Sequence, residues 1–203
     1  MALDYFIPHT ILESKRNGGA MQLNGMDLAT PDLWLSTLWF GLAGVLSYLP
    51  LFRLLPAQTL RDSRRAVVMG ASLFWLGFTA ILVNLAWGYY YRFFYSEWMR
   101  WGTALIAFML YPTYAFACHW LACRLPGQPM LWFCLFTGLL AANEHYIAWT
   151  IARLPEKVPL LAGMPLIPTM LFAFFEYQAY WAIALWLAWI LLKLSHLRKG
   201  ISS

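Results

Sequence analysis

The sequence predicts an all-α fold, a polytopic integral membrane bundle of about five transmembrane helices, and three observations predict it. Of 203 residues, 62% are hydrophobic and only 11% are charged, whereas soluble domains carry about 25% charged residues. Five stretches are long and apolar enough for a helix of about 20 residues to cross roughly 30 Å of hydrocarbon. The basic residues gather at or between the ends of those stretches. Such a composition excludes intrinsic disorder, a disulfide scaffold and a nucleic-acid-binding domain. The net charge of +5 then marks membrane topology and not a polyanionic partner.

The first span covers about 33–55, with Pro50 and Arg53 near its end. The second, 66–89, contains no charge. The third, 101–122, holds Pro112 in its middle, which predicts a kink. The fourth, 130–151, contains Glu144 and His145, and the fifth, 167–192, contains Glu176. Between spans four and five, Pro155, Pro159, Pro165 and Pro168 are too many for a regular helix. Short connectors and the lack of a repeat predict one domain over 33–195. It is preceded by a polar N-terminal arm (1–32) and followed by a cytoplasmic tail (196–203).

Lys and Arg near the span ends set the orientation. One side collects Arg53, Arg61, Arg64, Arg65, Arg124, Lys193, Arg198 and Lys199, and the other Arg92, Arg100, Arg153 and Lys157. The positive-inside rule places the first group, and the C-terminus, in the cytoplasm and the N-terminus outside. No secretory signal peptide is expected, because residues 1–32 lack a continuous apolar core. The aromatic run from Trp87 to Tyr95, with Trp98 and Trp101, reads as an interfacial belt at the outer end of spans two and three.

Charge at membrane depth is costly and needs a partner, a cavity or a function. Glu144 and His145 lie about eight residues, roughly 12 Å, inside the outer end of span four. Glu176 lies about nine residues, roughly 13 Å, inside the outer end of the antiparallel span five. The common level predicts one site. Small-residue stripes suit close helix approach: Gly138, Ala141, Ala142 and His145 on span four, and Gly77, Ala80, Asn84 and Gly88 on span two. Thr169, Ala173, Glu176 and Tyr180 share a face of span five. Glu144 and His145, adjacent and about 100° apart on a helix, cannot both point at one spot.

Two carboxyls and an imidazole can share a proton or act as acid and base. They are nominally the ligand set of a facial triad, but no second histidine lies at that depth and no metal is assigned. Paired-histidine haem ligation is disfavoured, with His9 and His196 outside the spans and His119 near the cytoplasmic end of span three. Cys118, Cys123 and Cys134 fall on the same cytoplasmic side and read as reduced thiols. His119 and Cys123 are spaced to touch each other. No Walker loop, GxGxxG, HExxH or GxSxG motif occurs. A transporter is the poorer reading, since five spans give no even inverted repeat.

The expected function is an accessory subunit of a larger membrane complex, respiratory, photosynthetic or oxygenase-like. It packs against partner helices and holds a hydrophobic ligand such as a lipid, quinone or pigment. The alternative is a membrane-embedded enzyme or binding protein for a lipid-like substrate. Glu144, His145 and Glu176 would be its acid–base groups, and Asn84, Tyr146, Trp149, Tyr177, Tyr180 and Trp181 would line the ligand. Expected partners are membrane lipids, other integral membrane subunits and a hydrophobic small molecule, with no nucleic acid; the sequence names no cofactor.

Overall fold

An α-helix satisfies its own backbone N–H and C=O groups within one segment, and this chain adopts helix almost throughout. The computed structural model describes residues 22–23, 26–27, 30–86, 100–157 and 164–201. A small antiparallel ladder comes first: β1 (Gln22–Leu23) pairs with β2 (Met26–Asp27), Gln22 opposite Asp27 and Leu23 opposite Met26. The helices follow in the order α1 (Thr30–Leu54), α2 (Ala57–Asp62), α3 (Arg64–Ala86), α4 (Arg100–Ala122), α5 (Pro129–Thr150), α6 (Leu154–Lys157) and α7 (Leu166–Ile201).

The five long helices occupy the five apolar stretches, and local chemistry fixes their ends. Pro56 cannot extend α1, and its carbonyl instead accepts the Leu60 N–H that opens α2. Ser63 works in two directions. Its hydroxyl caps the Leu60 carbonyl at 2.8 Å, while its own carbonyl accepts the Val67 N–H of α3. Gly127, at φ +87°, turns the chain after α4. Extended Gln128 then precedes Pro129, placed where a helix start tolerates proline. Pro168 likewise falls in the first turn of α7, so it does not delay that helix. The aromatic run 87–99 and the prolyl stretch 158–163 lie outside the described residues.

Two boundaries differ from the sequence expectation. α1 starts at Thr30, inside the segment read as the N-terminal arm. α7 continues to Ile201, through much of the segment read as a tail. At 36 residues it is about 54 Å long. Leu194 and Leu197 carry its apolar pattern past Leu192, and Lys193, His196, Arg198 and Lys199 favour a helix C-terminus.

α7 is the central helix and packs against α1, α3 and α5; α4 closes the bundle against α3 and α5. Small residues permit these approaches. Gly70 of α3 faces the Ala184 carbonyl and the Ala188 backbone of α7, and Gly138 of α5 faces Phe174 and Gln178. The expected close-approach stripe on span two is corrected at Gly77; the side chains of Ala80 and Asn84, and all of Gly88, lie outside the described residues. Gly77 meets nothing within 4 Å and is exposed, so α3 uses Gly70, two turns earlier, against α7. Trp75, Phe133, Trp181, Leu185, Leu51 and Leu60 fill the interior.

Outward, Leu38, Trp39, Val45, Leu46 and Leu49 of α1 are each more than half exposed. Among the described residues, two helical stretches are long and apolar enough to cross a membrane, Thr37–Leu54 and Leu166–Leu197. An apolar interior and an apolar exterior together point to a lipid-facing surface on those helices.

A methyl group at Gly70 would press on backbone atoms that cannot rotate away. Gly70→Ala is expected to cost about 1–3 kcal/mol, read as a lower melting temperature in detergent. Gly77→Ala, in open space, should leave melting unchanged or raise stability by up to about 1 kcal/mol. Equal melting of the two variants would contradict the α3–α7 packing.

Candidate ligand site: a carboxylate ringed by tyrosines

A buried polar side chain must find a partner inside the bundle, and Glu144 of α5 finds it on α4. Glu144 is half-buried, and its Oε2 accepts a hydrogen bond from the Tyr111 hydroxyl of α4 at 3.3 Å. The Tyr111 and Tyr177 hydroxyls lie 3.0 Å apart, which joins α4 to α7. A hydroxyl has one proton. With Tyr111 donating to Glu144, Tyr177 donates to Tyr111, so a directed chain runs from α7 through α4 to α5. Tyr114 adds a third hydroxyl beside the same carboxylate.

Below this chain lies an aromatic box centred on Trp75 of α3. Tyr111 stacks on Trp75 with ring centroids 3.8 Å apart and planes 11° from parallel. Tyr177, Tyr180 and Trp181 of α7 surround the same indole at 5.5, 5.8 and 5.8 Å. Trp181 in turn stands edge-on to Phe133. Such ring pairs contribute about 0.5–1.5 kcal/mol each beyond area burial, so the box holds α3, α4, α5 and α7 in one arrangement.

Among the described residues, two buried polar atoms of this cluster make no hydrogen bond of good geometry: the Glu144 Oε1 acceptor, with the Tyr114 hydroxyl as its neighbour, and the Trp75 Nε1 donor. Leaving a buried group unsatisfied costs about 1–3 kcal/mol. An acceptor and a donor are thus left over on either side of Tyr111.

The other predicted residues divide. Glu176 accepts from Tyr180 on its own helix at 2.5 Å, and through Tyr180 it touches the aromatic box. His145 donates from Nδ1 to the Ala141 carbonyl at 3.0 Å, which leaves Nε2 as the ring's acceptor. Its ring lies edge-on to Tyr177 at 6.1 Å. Among the described residues, neither glutamate bonds to His145, and no group of three His, Cys, Asp or Glu side chains gathers as metal ligands. Tyr177 is the shared neighbour: bonded towards Glu144, packed on His145 and Tyr180, and one residue from Glu176. Trp149 is an anchor, its indole N–H donating to the Met164 carbonyl before α7. Tyr146 is exposed. Gln178 spans α7 to α5, donating to the Cys134 carbonyl at 3.0 Å. The backbone of Asn84 is in α3, but its side chain lies outside the described residues.

Three contributors escaped the sequence reading: Trp75, Tyr111 and Tyr114. A signal for two of them existed. Trp75 and Tyr111 each lie eleven residues from the start of their helix, at mid-helix, where a buried indole N–H or phenol needs an internal partner.

Tyr180→Phe removes the hydroxyl donor to Glu176 and is expected to cost about 1–3 kcal/mol. Tyr146→Phe, at an exposed position, should stay within about 0.5 kcal/mol of wild type. Thermal melting of both variants in one detergent checks the contrast.

Comparison with known protein families, curated proteins and solved structures finds no match.

Proposed function

We propose that the chain is an integral membrane protein of five spanning helices, with its N-terminus outside and its C-terminus in the cytoplasm. In this reading it holds a lipid-like molecule whose polar head meets Glu144 Oε1 and Trp75 Nε1. The observation that carries this reading is that pair of leftover polar atoms, one acceptor and one donor, set in a wall of tyrosine and tryptophan rings. Ligand sites of this kind combine an apolar lining with a few fixed polar groups. A hydroxyl, amide or acid head supplies both a donor and an acceptor, which suits a quinol, a sterol-like alcohol or an amphiphilic pigment.

Two features support the membrane topology. The connector between α1 and α3 meets the end of α4 and the start of α5, through Leu60 with His119 and Arg61 with Gly127. At the other end, Trp149 of α5 meets Met164 ahead of α7. Consecutive long helices therefore alternate in direction, as successive spans do. The chain carries no catalytic motif, and the outward face of α1 is free for partner helices. On this reading it serves a larger respiratory, photosynthetic or oxygenase-like complex as the subunit that carries the ligand.

A second reading, acid–base chemistry on that ligand, is favoured by the directed chain Tyr177–Tyr111–Glu144 and by the His145 Nε2 acceptor nearby. Glu144 and His145 would each act on the ligand, one giving a proton to it and the other taking a proton from it, with Glu176 holding Tyr180 in place.

Wild-type protein purified in mild detergent should yield on extraction a stoichiometric apolar compound, visible by mass or absorption spectrum. Glu144→Gln should melt as a folded protein and lose most of that compound. Identical extracts from the two proteins would exclude the site. A particle containing only this 23.4 kDa chain would exclude the complex while leaving the ligand site standing.

A further inference from the structure

The arginine-rich end of the bundle carries a second, separate arrangement. Arg64 lies over the Phe116 ring at 5.4 Å, and Arg124 lies over the Trp120 ring at 3.7 Å. Phe116 and Trp120 are one turn apart on α4 and both are exposed, 46% and 37%. The two guanidinium groups therefore sit along one outward aromatic stripe. Arg61, from α2, reaches the same end by donating to the Gly127 carbonyl at 3.4 Å. Cys123 lies among the three. Burial raises its thiol pKa, and Arg61 and Arg64 act against that rise. His119 bonds the Leu60 carbonyl at 2.6 Å and ties α4 to the connector, which fixes these positions relative to one another.

The charge here is not balanced from within. Asp62 is the nearby carboxylate, and its Oδ2 is engaged by Gln58 at 3.0 Å. Among the described residues, the ion pair present is Arg153 with Glu156, at the opposite end. A guanidinium stacked on a ring uses its flat face, while its in-plane N–H fork stays available for a planar, bidentate anion. Two such forks, with Arg61 beside them and no ion pair to any of the three among the described residues, border an exposed aromatic stripe and match a phosphate attached to acyl chains.

We propose that this end of the bundle binds an anionic phospholipid, with its phosphate among Arg61, Arg64 and Arg124 and an acyl chain along Phe116 and Trp120. Free phosphate would satisfy the forks but would leave the stripe uncovered, so the lipid is the assigned occupant. The proposal rests on the membrane reading of the helices and is independent of the Glu144 site.

The test is native mass spectrometry of the full chain from detergent, titrated with phosphatidylglycerol, phosphatidylcholine or inorganic phosphate. Wild type should retain phosphatidylglycerol in preference to phosphatidylcholine and should not be saturated by phosphate. Arg64→Gln with Arg124→Gln removes two cationic groups and should weaken phosphatidylglycerol binding roughly thirtyfold. Arg153→Gln, at the other end, should leave binding unchanged. Arg61→Gln, at a half-buried side chain, provides a milder variant if the double variant fails to fold, and should weaken binding about fivefold. Equal retention of the two lipids, competition by phosphate alone, or unchanged binding in the arginine variants would overturn the proposal. Loss of the compound held at Glu144 would not affect this result.

Discussion

The arrangement depends on how closely α7 approaches its neighbours. Gly70, Gly138 and the alanines at 173, 182, 184 and 188 remove the side chains that would hold α7 away from α3 and α5. Where lipid surrounds a bundle there is little hydrophobic gain in pairing helices, so close packing and internal hydrogen bonds carry the association. Close approach brings Tyr177 to Tyr111, Tyr111 to Glu144, and three α7 rings around Trp75. The polar cluster is therefore a consequence of small residues elsewhere on the same helices. A bulkier residue at a contact glycine would disturb the tyrosine chain without touching it.

Position along the chain was legible in the sequence, and orientation around each helix was less so. Apolar length placed all five long helices, because a helix satisfies the backbone of a long apolar run such as 130–151 within the run itself. Glu144 stood out for the same reason, as a carboxylate in an apolar stretch. The stripe logic succeeded at Gly138, which packs on Phe174 and Gln178, and failed at Gly77, which packs on nothing. Both glycines look alike in sequence; the side of α3 that α7 occupies decides between them. The hydrogen-bond partners were illegible, because Tyr111 reads equally well as an aromatic among many until its hydroxyl is seen beside Glu144. Likewise, Glu176 and His145 turn to acceptors and donors on their own helices, a local choice that spacing permits but does not require.

The two ends of the molecule are chemically distinct. One gathers guanidinium groups, two of them on aromatic rings, near a carboxylate, Asp62, that forms no ion pair with them among the described residues. The tyrosine-ringed carboxylate lies between α4, α5 and α7, well along each helix. On the proposed membrane reading, the separation has a physical sense. Cations belong at the interface, where phosphate and water solvate them, whereas a lone carboxylate at depth is tolerated only when hydroxyl donors surround it. Trp149 and Gln178 support the carboxylate indirectly, since each ties α5 to α7 or its entry.

The central claim is that Tyr111 and Glu144 act as one unit across the α4–α5 boundary. A double-mutant cycle of Tyr111→Phe and Glu144→Leu, measured as unfolding stability in a single detergent, tests it most directly. The account predicts a coupling of about 0.5–3 kcal/mol between the two positions. Strict additivity, within about 0.5 kcal/mol, would show that the phenol and the carboxylate do not meet, and the ligand site built on them would fall.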